Sequence, residues 1–97
     1  MPDKINEIEK FRAQIDIIDQ TILELIGKRY NLSNRIGAVK QNMKLKIINS
    51  SREKELLNNL KEKARQLNLN EKLVEDLWIK IISESRKAQK YPKVSNG

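Results

Sequence analysis

Between Pro2 and Pro92 the chain has no proline, and this constrains its fold more than any other feature. Proline lacks the amide donor and clashes with the preceding helical turn, so nothing from Asp3 to Tyr91 forbids a helix. In the first half, Ile8, Phe11, Ile15, Ile18, Ile22, Leu25, Leu32, Ile36 and Val39 follow a three-and-four spacing. That is the seam of a helix packing on other helices. The spacing predicts one helix from about Ile5 to Gln41, roughly 55 Å long at about 1.5 Å per residue. A domain of about a hundred residues has a radius of gyration near about 13 Å. So long a helix overshoots a monomeric globule, and a second copy is expected to cover it.

Residues 42–51, NMKLKIINSS, break the periodicity and end in Asn and Ser, which favour helix N-caps. A second helix is predicted from about Ser51 to Leu67, with Leu56, Leu57, Leu60, Ala64 and Leu67 on one face. After a polar turn at Asn68 to Asn70, a third helix is predicted from about Glu71 to Lys90. It would bury Leu73, Val74, Leu77, Trp78, Ile81 and Ile82. The end of the chain, YPKVSNG, is expected to fray, leaving residues 92–97 outside a core of about 5–91. The expected fold is all-α, a single domain over 1–97 with one long and two shorter helices per protomer, intertwined in a helical homodimer.

Composition removes whole classes of chemistry. With no Cys and no His, thiol catalysis, disulfides, zinc clusters and a Ser-His-Asp relay are excluded. Catalysis would rest on Lys, Arg, Asp, Glu, Ser, Thr, Tyr and amides. Apolar residues at 38% and charged residues at 34% suit a soluble helical protein and are thin for an isolated core. A net charge of +7 points to an anionic partner. Nucleic acid is not the expected one. The aromatic fraction, 4%, is too low for base stacking, and the basic residues are interspersed with 13 acids rather than gathered in a stripe. The start, MPDKINEIEK, has no apolar secretory region, and no apolar run approaches the roughly 18 residues a membrane span requires. A cytoplasmic protein without a membrane partner is expected.

Several polar residues stand where the seams should be apolar. Arg29 falls between Leu25 and Leu32. Burying a cation costs several kcal/mol unless it is paired, so Arg29 either snorkels, pairs with a carboxylate of another helix, or grips a ligand carboxylate with two parallel hydrogen bonds. Lys40 lies on nearly the same face, about 20° round and roughly 16 Å along the axis. A small organic acid fits such a gap, although a lysine here also complements the helix dipole. In the third helix the stripe through Trp78, Ile81 and Ile82 continues as Ser85 and Gln89, which share a face. Arg52 and Glu53 open the second helix and would serve equally as ordinary first-turn charges. Gly27 and Gly37 sit inside the long helix, where close helix packing is the simplest reason to keep them. Arg12 precedes Arg29 by about 25 Å along the helix. It would bind ligand only in a partner's site; otherwise it is a surface charge near Asp16.

Taken together, these residues resemble the all-helical (AroQ-type) chorismate mutases. The segments FRAQIDIIDQTILELIGKR, RIGAVK, SREKELL and IISESRKAQ carry the resemblance over about residues 5–91. Arg12, Arg29, Lys40, Arg52, Glu53, Ser85 and Gln89 stand at the family's spacings. The resemblance implies an intertwined homodimer with two equivalent sites that converts chorismate to prephenate, on the route to phenylalanine and tyrosine. This pericyclic step requires no nucleophile, metal or cofactor. Catalysis would come from holding a reactive conformer and from fixed donors around the breaking ether bond.

By the same resemblance, Arg29 and the Arg12 of a second copy clamp the two carboxylates, while Lys40 and Gln89 donate to the ether oxygen. Glu53 accepts from the ring hydroxyl, Arg52 and Ser85 complete the carboxylate contacts, and Ile36 and Ile82 supply apolar walls. Asn49, where relatives often carry Asp, would contribute its backbone N–H. Arg86 is a second departure, since some relatives have an apolar residue there. Two readings compete within the scaffold. One is an isochorismate-pyruvate lyase; the other is a regulatory domain that binds chorismate or prephenate.

Overall fold

A computed structural model describes residues 2–93, and the regular structure in them is all helical. Helix α1 spans Pro2–Met43, α2 Ser50–Gln66 and α3 Glu71–Lys90. The third matches its predicted bounds. The long helix starts earlier and ends later than expected. Proline is tolerated in a first turn, where its missing donor has no intrahelical partner anyway, and Asp3 complements the dipole there. At the other end Lys44 turns left-handed with φ 56°. Its N–H donates to Gln41 O at 3.2 Å, and Leu45 N–H reaches back to Lys40 O at 2.8 Å. This paired closure ends a helix by satisfying its last carbonyls. Asn68, at φ 57°, ends α2 in the same way, with Leu69 N–H on Ala64 O at 2.8 Å.

The N-caps of the two shorter helices are asparagines. Asn49 is extended and its side chain accepts from Arg52 N–H at 3.0 Å. Asn70 does the same for Lys72 N–H at 2.9 Å. The cap of α2 is therefore Asn49 and not a serine, which starts the helix at Ser50 instead of Ser51.

The chain divides into two units, Met1–Asn31 and Leu32–Gly97. In the first, residues 3–31 of α1 are exposed apart from the half-buried Arg29. Its seam residues Ile8, Phe11, Ile15, Ile18, Ile22 and Leu25 are each 48–57% exposed, so this chain alone does not cover them. The second unit holds the buried residues. Ala64, Val74, Ile82 and Ala88 form its apolar centre, joined by buried Ser33, Asn34 and Ser85. Helices α2 and α3 pack together, with Lys61 Nζ 3.2 Å from Glu75 at their border. Asn34 Oδ1 accepts from the Lys93 N–H at 3.2 Å, which holds the chain just beyond α3. Residues 94–97, expected to fray, lie outside the described residues. No helix among those described is long and apolar enough to cross a membrane.

Candidate active site

The last turns of α1 and the end of α3 meet at a glycine. A Cβ built on Gly37 would lie 2.8 Å from the Gln89 carbonyl carbon, and closer still to its oxygen and Cα. Only a residue without a side chain lets the two backbones approach so closely. A Cβ built on Gly27, by contrast, meets no side chain or other element within 4 Å among the described residues. The close approach at Gly37 sets the reach of Lys40, one turn further along. Its Nζ donates to Gln89 Oε1 at 2.7 Å and to Ile47 O at 2.7 Å. Both Lys40 and Gln89 are half-buried. Two residues 49 apart in sequence thus form a direct polar pair, fixed by a loop carbonyl on one side and a glycine contact on the other.

The first turn of α2 supplies Glu53, whose side chain is 21% exposed. Its carboxylate is held from α3 by Arg86. The Arg86 Nε donates to Glu53 Oε2 at 2.9 Å, and a terminal guanidinium nitrogen donates to Oε1. The hydrogen bonds from Arg86 hold the Glu53 carboxyl below the usual carboxylate range; burial opposes this, and the charges of Arg86 and Lys40 reinforce it. The same contact raises the Arg86 guanidinium. Glu53, expected to face a ligand hydroxyl, therefore already has a protein partner. The family resemblance marks Arg86 only as a departure from a position that is apolar in some relatives.

Ser85 and Ile82 are buried on α3, while Arg52 and Asn49 are exposed at the start of α2. Ile36 is exposed and lines a cleft of about 370 Å³ with Leu32, Arg35, Val39, Lys40 and Leu45. Its wall is apolar, with Lys40 and Arg35 contributing their aliphatic stems. A second cleft, of about 550 Å³, shares Leu45 and runs past Ile47 and Ile48 to Arg86, Lys87 and Lys90. In the first unit, Arg12 is exposed and pairs with Glu9 at 3.4 Å, one turn back, in place of the Asp16 expected one turn ahead. The half-buried Arg29 lies in that unit as well.

The sequence of residues 11–90 matches the family model for chorismate mutase type II. The chain belongs to this family. Two longer proteins resemble it over most of its length. A T-protein of Enterobacter agglomerans is 32% identical over 81 residues, covering 84% of this chain and 22% of its own. A bifunctional chorismate mutase/prephenate dehydratase of Buchnera aphidicola is 37% identical over 90 residues, covering 93% of this chain and 23% of its own. A protein of the same description from Aquifex aeolicus is 38% identical over 52 residues, covering 54% of this chain and 14% of its own. The chain thus spans less than a quarter of the curated relatives it matches. No solved structure matches it significantly.

For this type II chorismate mutase family member, the glycine contact yields a direct expectation. Gly37→Ala forces a methyl group into the Gln89 backbone, an overpacking that costs about 1–3 kcal/mol. Relief requires α1 and α3 to part, which lengthens the Lys40–Gln89 hydrogen bond. The urea midpoint should fall. Gly27→Ala, whose added Cβ meets nothing within 4 Å among the described residues, serves as its companion: a fall in the Gly37 variant no larger than in that one would remove the close-packing role.

Proposed function

We propose that this chain rearranges chorismate to prephenate. The carrying observation is the pair formed by Lys40 Nζ and Gln89 Oε1 at 2.7 Å. A carboxamide that accepts through its oxygen has its NH₂ group directed elsewhere, and an ammonium has three N–H groups, two of which are committed to Gln89 and Ile47. One N–H of the Lys40 ammonium and the NH₂ group of Gln89 remain for a ligand. Two donors side by side suit an ether oxygen on which negative charge grows as its bond to carbon breaks. Two relatives carrying chorismate mutase in their names support the same reading.

In this proposal Lys40 and Gln89 are the catalytic donors, and Arg29 joins them as a carboxylate clamp. Arg12 of a second copy grips the other carboxylate. Arg52, Ser85 and the Asn49 backbone N–H complete the anion contacts. Glu53 accepts from the ring hydroxyl, and Ile36 and Ile82 bound the apolar part. The exposed seam from Ile8 to Leu25 supports a homodimer, because a contiguous apolar face of this length calls for a cover. The proposed setting is the cytoplasm, without nucleic acid, membrane, metal or cofactor.

The test is to supply chorismate and isochorismate separately and identify the products. Prephenate should form from chorismate, unaffected by chelator. Salicylate and pyruvate formed from isochorismate at greater efficiency would replace this reading with a lyase. Tight binding of chorismate without turnover would replace it with a regulatory domain.

A further inference from the structure

We infer that Arg86 is a positioning residue for Glu53, gripping both carboxylate oxygens from α3 so that the group meets the substrate's hydroxyl in one fixed orientation. The inference rests on the chorismate mutase reading above. Its basis is a two-point contact across two helices: Nε on Oε2 at 2.9 Å and a terminal nitrogen on Oε1. A planar guanidinium matched to a planar carboxylate fixes the plane of both groups, which a lysine ammonium does not do. The backbone of Glu53 is also held, since its N–H donates to Asn49 O at 3.0 Å in the cap of α2. The carboxylate is thereby set from both ends. Each of its oxygens keeps a second lone pair, so the grip leaves the group able to accept a hydroxyl.

Charge points the same way. The groups acting on Glu53 are Arg86 from α3 and Lys40 from α1. A substrate with two carboxylates would be repelled by a bare third one, and Arg86 balances that charge at the rim. The Arg86 side chain is 44% exposed and that of Glu53 only 21%, so water reaches the arginine more freely than the carboxylate. Arg86 also lies between Ser85 and Gln89 in sequence, so the grip and the donor it accompanies move with the same helix.

The experiment measures kcat and KM for chorismate between about pH 3 and 8. It compares the wild-type chain with Arg86→Ala, Arg86→Lys, Glu53→Gln and the Arg86→Ala/Glu53→Gln double variant, with folding checked by circular dichroism. Arg86→Ala should lose roughly tenfold in kcat/KM, a usual coupling for contacting residues. Its acid limb should move upward in pH, because a carboxylate relieved of its partner takes up a proton sooner, near the ordinary value of about 4.3. Arg86→Lys should restore the acid limb more than kcat, having the charge without the fork. In the Glu53→Gln background, Arg86→Ala should cost little further. An equal loss in both backgrounds, an unmoved acid limb, or a gain in activity on removing Arg86 would overturn the inference. Absence of turnover by the wild-type chain would instead overturn the chorismate mutase reading itself.

Discussion

Lys40→Ala is expected to lower kcat/KM for chorismate by at least about 10²-fold, the usual cost of one preorganised donor to a developing negative charge. The size follows from how firmly the ammonium is set. Its two hydrogen bonds, to Ile47 O and Gln89 Oε1, are both 2.7 Å long, so reaching the transition state requires no search among rotamers. Removing it also leaves two half-buried acceptors without their donor, and hydrogen bonds to a charged group contribute about 1.5–3 kcal/mol each. Stability and chemistry therefore fall together and have to be separated. Lys40→Met keeps the apolar stem beside Ile36 and loses the ammonium with its donors. Both variants should lose activity to a similar extent under conditions where denaturant curves show them folded. Near-normal turnover in folded Lys40→Met would remove the lysine from the reaction and leave it as a tie between α1, the following loop and α3.

The second large effect is a recovery. Arg12 and Arg29 lie on one helix, about 25 Å apart by rise, too far to hold one small ligand from a single chain. Arg12→Ala and Arg29→Ala should each be nearly inactive alone. Unfolded together and refolded as an equal mixture, about half of the dimers pair one of each. In such a mixed dimer one site has both arginines and the other has neither. Activity should rise to roughly a quarter of wild type per subunit if the sites act independently. If mixed dimers form, shown by differently tagged chains, and activity stays at the level of the separate variants, each site belongs to a single chain. Arg12 would then be the surface charge that its contact with Glu9 suggests.

The helices were legible from local chemistry. The proline-free interval, the three-and-four seam and the capping asparagines are all short-range signals, and α3 falls on its predicted bounds. Helix α2 begins at Ser50, one residue before the expected Ser51, because Asn49, and not a serine, makes the capping bond. The end of α1 depends on Lys44 turning left-handed, a conformation that glycine or asparagine advertises and lysine does not. Gly37 was readable as close packing, since a mid-helix glycine is otherwise costly. Its partner, Gln89, was not. The Arg86–Glu53 grip was hidden for the same reason. It joins residues 33 apart, and only the crossing of α2 and α3 brings them together.

Loops are ordinarily where a protein family drifts in length, because exposed connections absorb extra residues at little thermodynamic cost. The segment between Lys44 and Asn49 is denied that freedom. Ile47 lends its carbonyl to the Lys40 ammonium, and Asn49 lends its side chain to the start of α2. One residue more or fewer would slide the carbonyl away from the ammonium or the asparagine away from its amide. Leu45, Lys46 and Ile48 make neither bond, and their side chains line the neighbouring clefts instead. A change in the number of residues here therefore breaks two bonds that a change of side chain at Lys46 would leave in place.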